Sequence, residues 1–149
     1  MKQFVENVSR NGELHAIVIR SDFTKEGIEF FTPDEFSQQL AYMKHSAGKI
    51  IPPHVHNPVQ REVFVTQEVL FLKKGRLRVD FYDQQRSYFE SCILEAGDVI
   101  LLASGGHGFE ALEEIEMIEV KQGPYAGEAD KTRFDGIAAA DVLMRRSHE

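Results

Sequence analysis

Three histidines and one glutamate in the central part of the chain have the types and spacing that suit metal chemistry. His54 and His56 stand two residues apart in Pro52-Pro53-His54-Val55-His56. On an extended strand, residues i and i+2 point to the same face, so both imidazoles can reach one ion. The two prolines disfavour a helix and favour extended backbone. Glu68 opens the strand-like run EVLFLKK, and His107 lies in the glycine cluster SGGHGF. Imidazoles with one carboxylate form a ligand set for a divalent transition metal such as Fe, Mn, Ni or Zn. Four protein ligands on a six-coordinate ion leave two positions for water or substrate. Gln60, Glu62 and Gln67 compete with Glu68 for the oxygen-ligand position. Imidazoles bind metal only when neutral, so affinity is expected to fall below about pH 6 to 6.5.

These residues need strands to position them, and the surrounding sequence reads as strands. Leu14 to Arg20 is β-branched and apolar, with His15 near its start as a core or edge histidine. Thr32-Pro33-Asp34-Glu35 has the signals of a short helical turn. Gln38 to His45 alternates as a strand leading into the histidine pair. It places Tyr42 and Lys44 on one face, where they are candidate proton-transfer residues. Beyond Gly75 the sequence is a meander: Arg76 to Tyr82, Ser87 to Leu94, Val99 to Ala103, Gly108 to Leu112 and Ile115 to Lys121. Ile137 to Arg146, rich in Ala, Leu and Met with two arginines at its end, suits a final helix. His45 and His148 read as incidental.

Five residues separate Gly48 from His54, and six separate Glu68 from Gly75. Gly97 opens GDVILLASGGH, which ends on His107. These features resemble the two motifs of the cupin family across about residues 46 to 121, roughly half the chain. The spacer between His56 and Glu68 is eleven residues, where cupins usually have three or four. Ala103 and Ala111 stand where proline and asparagine are usual. The resemblance implies an all-β, cupin-type jelly-roll β-barrel or sandwich, here with a short C-terminal helix. It also implies a metal held by His54, His56, Glu68 and His107, and a homodimer.

One domain over 1–149 fits the length, with N-terminal strands in 1–45, the barrel over about 14–122 and the tail or helix over 128–149. The net charge of −7 and the absence of any Lys/Arg stripe argue against nucleic acid. No apolar run approaches a membrane span, and the N-terminus lacks the pattern of a signal peptide. A cytoplasmic location is expected. Cys92 is the only cysteine and reads as a small buried apolar residue. The function expected is that of a metal-dependent enzyme of isomerase or epimerase type, acting on a sugar or other carbohydrate, a polyol or an organic acid. An Fe(II)-dependent dioxygenase and a non-catalytic binder of a small-molecule ligand are the alternatives.

Overall fold

The computed structural model describes residues 3–146. His148 lies outside the described residues. Among those described, ten strands carry the regular structure: β1 (Val5–Arg10), β2 (Glu13–Ile19), β3 (Gly27–Phe30), β4 (Ala41–Lys44), β5 (Glu68–Lys74), β6 (Arg76–Tyr82), β7 (Tyr88–Glu95), β8 (Val99–Leu102), β9 (Gly106–Ala111) and β10 (Glu116–Lys121). All the strand pairings are antiparallel. The protein is all-β, in sheets that do not close on themselves.

A five-stranded sheet runs β1-β2-β8-β5-β10, and a three-stranded sheet runs β7-β6-β9. The hairpin β3-β4 stands as a separate pair. The expected strands from Leu14, Glu68, Arg76, Ser87, Val99, Gly108 and Ile115 all form, with ends shifted by a residue or two, but they do not run as the expected meander: beyond Gly75 only β6 and β7 are consecutive strands that pair, and the chain otherwise crosses between the two sheets. Alternation explains the packing, because each strand turns one side chain in two towards the partner sheet. From the five-stranded sheet come Val8, Ala16, Val18, Leu70, Leu72, Ile100 and Leu102. Leu77, Val79, Phe81, Cys92 and Leu94 meet them from the other sheet. Phe81 is 1% exposed and the largest of these side chains.

Cys92 is buried, as expected, and burial pushes its thiol up to about 12. Only the thiolate reacts, so a disulfide-exchange reagent at pH 8 should leave the folded protein unmodified and modify it once urea has unfolded it. A raised acid stabilises the fold below the ordinary thiol value near 9. That stabilisation should fade as pH climbs towards 12. Fast labelling of native protein at pH 8 would contradict the packing.

Two expected helical pieces do not form. Between Thr32 and Leu40 there is a knot of turns. The Thr32 hydroxyl donates to Gln39 Oε1 at 2.8 Å and accepts from the Leu40 amide at 3.2 Å. Thr32 therefore closes a loop instead of capping a helix.

The C-terminal helix expected over Ile137 to Arg146 is replaced by an extended strap with one 3-10 turn at Ala139–Asp141. Ten residues are too few to form a helix without tertiary support, and the sheet offers better partners. The Tyr82 hydroxyl accepts the Ile137 amide at 2.8 Å, and the Tyr88 hydroxyl accepts the Leu143 amide at 2.8 Å. Ser91 on the outer strand β7 exchanges backbone bonds of 2.8 Å with Leu143 and Arg145. The strap thus covers an edge that would otherwise be bare.

Among the described residues no helix is long and apolar enough to cross a membrane.

Candidate functional site

Strand register places Glu68 on the core face of its sheet. It pairs with Leu102, which pairs in turn with Ala16, and Lys121 stands opposite Glu68 on β10. That row is the last of the core before the sandwich opens. On the other sheet His107 pairs with the buried Phe81, so it also faces inward. The two side chains meet across the gap between the sheets. His107 Nε2 lies 3.4 Å from Glu68 Oε2, and Lys121 Nζ lies 3.1 Å from Glu68 Oε1. Lys121 also reaches Glu119 at 2.9 Å.

The glycine cluster before His107 has a steric reason. Gly105 has φ +73°, and a Cβ there would stand 2.4 Å from the Tyr82 carbonyl oxygen and 2.5 Å from His15 Nδ1. Only glycine fits. His15 is a core histidine, 2% exposed. Its ring packs on Phe89 and its Nδ1 donates to the Ser104 carbonyl at 3.2 Å. It anchors the loop that carries His107.

Glu68 and His107 line a groove of about 700 Å³. Its walls are Phe64 to Thr66, the 103–109 loop and strand, Tyr82 to Arg86, and the strap from Asp130 to Gly136. Arg86, Lys131 and Arg133 bring positive charge, while Phe109 and Phe134 offer flat apolar faces. Arg86 lies over the Phe134 ring at 5.8 Å. The strap's contribution carried no signal in the sequence, because its polar composition reads as a tail.

The Glu68 carboxyl is held down to about 2, chiefly by its hydrogen bond with His107, against the opposing effect of burial. The charges of His107 and Lys121 and the Lys121 hydrogen bond add to the lowering. Lys121 is held above the usual lysine range by hydrogen bonds to Glu119 and Glu68. At neutral pH the site is therefore a carboxylate beside an ammonium.

A depressed carboxyl stabilises the fold above its unfolded value near 4.5, and this contribution is lost as pH falls towards 2. Solvent screening at the groove mouth limits it to roughly 1 kcal/mol. Glu68→Gln should therefore be less stable than wild type above pH 5, and the two should converge near pH 2. Urea titrations at both pH values check this, and a constant gap would contradict it.

The other expected site residues lie elsewhere. His54 and His56 are not on a strand. They lie on an exposed segment without regular structure, with ring centroids 5.2 Å apart. Pro52, Pro53 and Pro58 favour extended backbone but supply no amide for a ladder, and no neighbouring strand is alongside. Gln60 and Glu62 are exposed on the same segment. Gln67 is 3% exposed and already engaged, its Oε1 accepting from the Gln38 amide at 3.1 Å and the Ser37 hydroxyl at 3.3 Å.

Tyr42 and Lys44 sit on β4, away from the groove lining. Tyr42 packs edge-on against Phe23, and Lys44 pairs with Glu26 at 2.6 Å. The alternation that put both on one face is real, but the β3-β4 hairpin directs that face to Phe23 and Glu26. Lys121, on the last strand, is the lysine that reaches the site.

Among the described residues no three His, Cys, Asp or Glu side chains converge as a complete metal cage. The four residues fall into two separate pairs, Glu68 with His107 and His54 with His56. The chain matches no protein-family model, no curated protein and no solved structure.

Proposed function

We propose that this protein is a metal-binding, cupin-type jelly-roll protein acting as a small isomerase or epimerase on a sugar, polyol or organic acid. The observation that carries the reading is the convergence of Glu68 and His107, from two different sheets, in one groove. An ionised carboxylate and an imidazole at the end of a sandwich suit a divalent transition metal. His54 and His56 complete the set. A bound metal would supply Lewis acidity towards a carbonyl or hydroxyl oxygen. The chain's own groups bind and orient the substrate. Lys121, held protonated, offers a cation to a developing or resident negative charge, as does Arg86. Phe109 and Phe134 offer faces for the apolar side of a sugar ring, and the groove's size suits a small molecule.

A non-catalytic binding protein is the second reading. It is favoured by the engagement of Lys121 with both Glu68 and Glu119, which leaves the lysine no proton-accepting role at neutral pH. Two measurements separate the readings. Elemental analysis of protein purified without added metal, beside His54→Ala/His107→Ala, should give about one equivalent per chain that the double variant loses. Metal-loaded protein in deuterated water should then exchange a carbon-bound proton into an aldose, ketose or 2-hydroxy acid. Metal without exchange favours the binding protein. Iron with oxygen consumption favours the dioxygenase. No metal uptake on titration overturns the metal reading itself.

A further inference from the structure

The sandwich is open along one side. β9 is an edge of the three-stranded sheet and β10 an edge of the five-stranded one, while the strap reaches the opposite edges, β7 at Ser91 and β1 at the Asn7 carbonyl. On β10 every residue before Lys121 is exposed, with Ile118 at 57% and Val120 at 54%. A bare edge carrying apolar side chains is a template for another strand.

Residues 49–65 are the complementary piece. All of them are exposed, including Ile51, Val55, Val59 and Phe64. Among the described residues their backbone makes two hydrogen bonds, both local: the Lys49 amide donates to the Ser46 carbonyl, and the Pro52 carbonyl accepts from His54 Nδ1 at 3.1 Å. A segment packed on its own domain buries one face, and this one buries neither. Its composition is not that of a solvated linker, which would lack such apolar content.

Both ends are fixed. Gly48 takes a left-handed turn. At the other end the Thr66 hydroxyl bonds Asp130, and the Gln67 carbonyl accepts the Gln122 amide at 3.0 Å. From Lys49 to Glu62 the segment is thus an exposed arm, and it rejoins the domain where Phe64 and Val65 line the groove. Its charges also complement the open side. The arm carries Lys49 and Arg61 against Glu62 alone. The β9-β10 side carries Glu110, Glu113, Glu116 and Glu119, offset in part by Arg78 and Lys121. Opposite fields of this kind set partner and register.

We propose that the arm of one protomer lies along the open β9-β10 side of a second copy of this chain. The metal site is then completed between protomers, with Glu68 and His107 from one chain and His54 and His56 from the other. The exchange is reciprocal, as a two-fold pair requires, and gives two sites per dimer. It rests on the metal reading for its ligand set, but not for the docking of the arm.

The test separates the two. His54→Ala/His56→Ala and Glu68→Gln/His107→Ala, carrying different tags, are unfolded together, refolded and purified through both tags. Each parent should hold no metal, and the mixed dimer should hold about one ion per pair, because one of its two sites regains every ligand. Wild type that binds metal beside a mixed dimer that stays empty overturns the exchange. The second measurement needs no metal: Val55→Asp/Val59→Asp, changed only on the exposed arm, should sediment as a monomer where wild type sediments as a dimer. A monomeric wild type, or a dimer that survives both aspartates, overturns the proposal. A dimer lost in this variant, with no metal in wild type, supports the docking of the arm and overturns only the metal reading.

Discussion

Asp98→Ala is expected to lower the stability of the fold by roughly 3–5 kcal/mol, the range for removing one partner of a buried ion pair. Asp98 is 2% exposed and sits in the turn between β7 and β8. One carboxylate oxygen accepts the Ser21 amide at 2.8 Å. The other accepts the Glu95 amide at 2.9 Å and the Arg20 guanidinium at 2.9 Å. Arg20 also donates to the Ile93 carbonyl at 2.7 Å and to Glu6. One side chain thus ties the end of β2 to the β7-β8 turn. Alanine would strand two amides and weaken the hold on a guanidinium, each at a desolvation cost. Asp98→Asn keeps one acceptor and should lose less. Urea denaturation of the three proteins gives the order, and an alanine loss below about 1 kcal/mol would mean that water replaces the carboxylate.

Asp98 belongs to the part of the chain whose sequence is easiest to read. From Glu68 to Lys121 the strands are rich in apolar residues and the turns after β5, β6, β7 and β8 carry Gly or Asp, although only β6 and β7 are neighbours both in sequence and in a sheet. Local pattern is enough there to place the strands, whereas their pairing and the inward direction of Glu68 and His107 depend on which sheet each strand joins. The pattern misleads where a segment's partner lies far away in sequence. Ala139–Asp141 and its flanks have helical composition, yet the hydroxyls of Tyr82 and Tyr88 and the edge of β7 claim their amides. Tyr42 and Lys44 do share a face, but periodicity cannot say what that face meets. His54 and His56 have the spacing of strand ligands and no strand beside them within the chain. Lys121 reads in the sequence only as the end of the last strand, and its register opposite Glu68 makes it part of the site.

His107→Ala should weaken divalent-metal uptake at least about 100-fold, since even outer-shell partners of metal ligands cost 10- to 100-fold. The side chain is 30% exposed and its strand is held by backbone pairing, so stability should move by under about 1 kcal/mol. The competing oxygen ligands can be told apart by the same titration. Glu68→Gln should lose metal to a similar degree. Glu62→Gln and Gln60→Ala, exposed on the arm, should keep it. Gln67→Ala should keep metal but lose stability, because the Gln38 amide and the Ser37 hydroxyl would lose their acceptor. Metal lost in Glu62→Gln and kept in Glu68→Gln would move the carboxylate ligand onto the arm. The Glu68–His107–Lys121 cluster would then be a charged clasp between the two sheets, and the groove beside it a binding site that needs no metal.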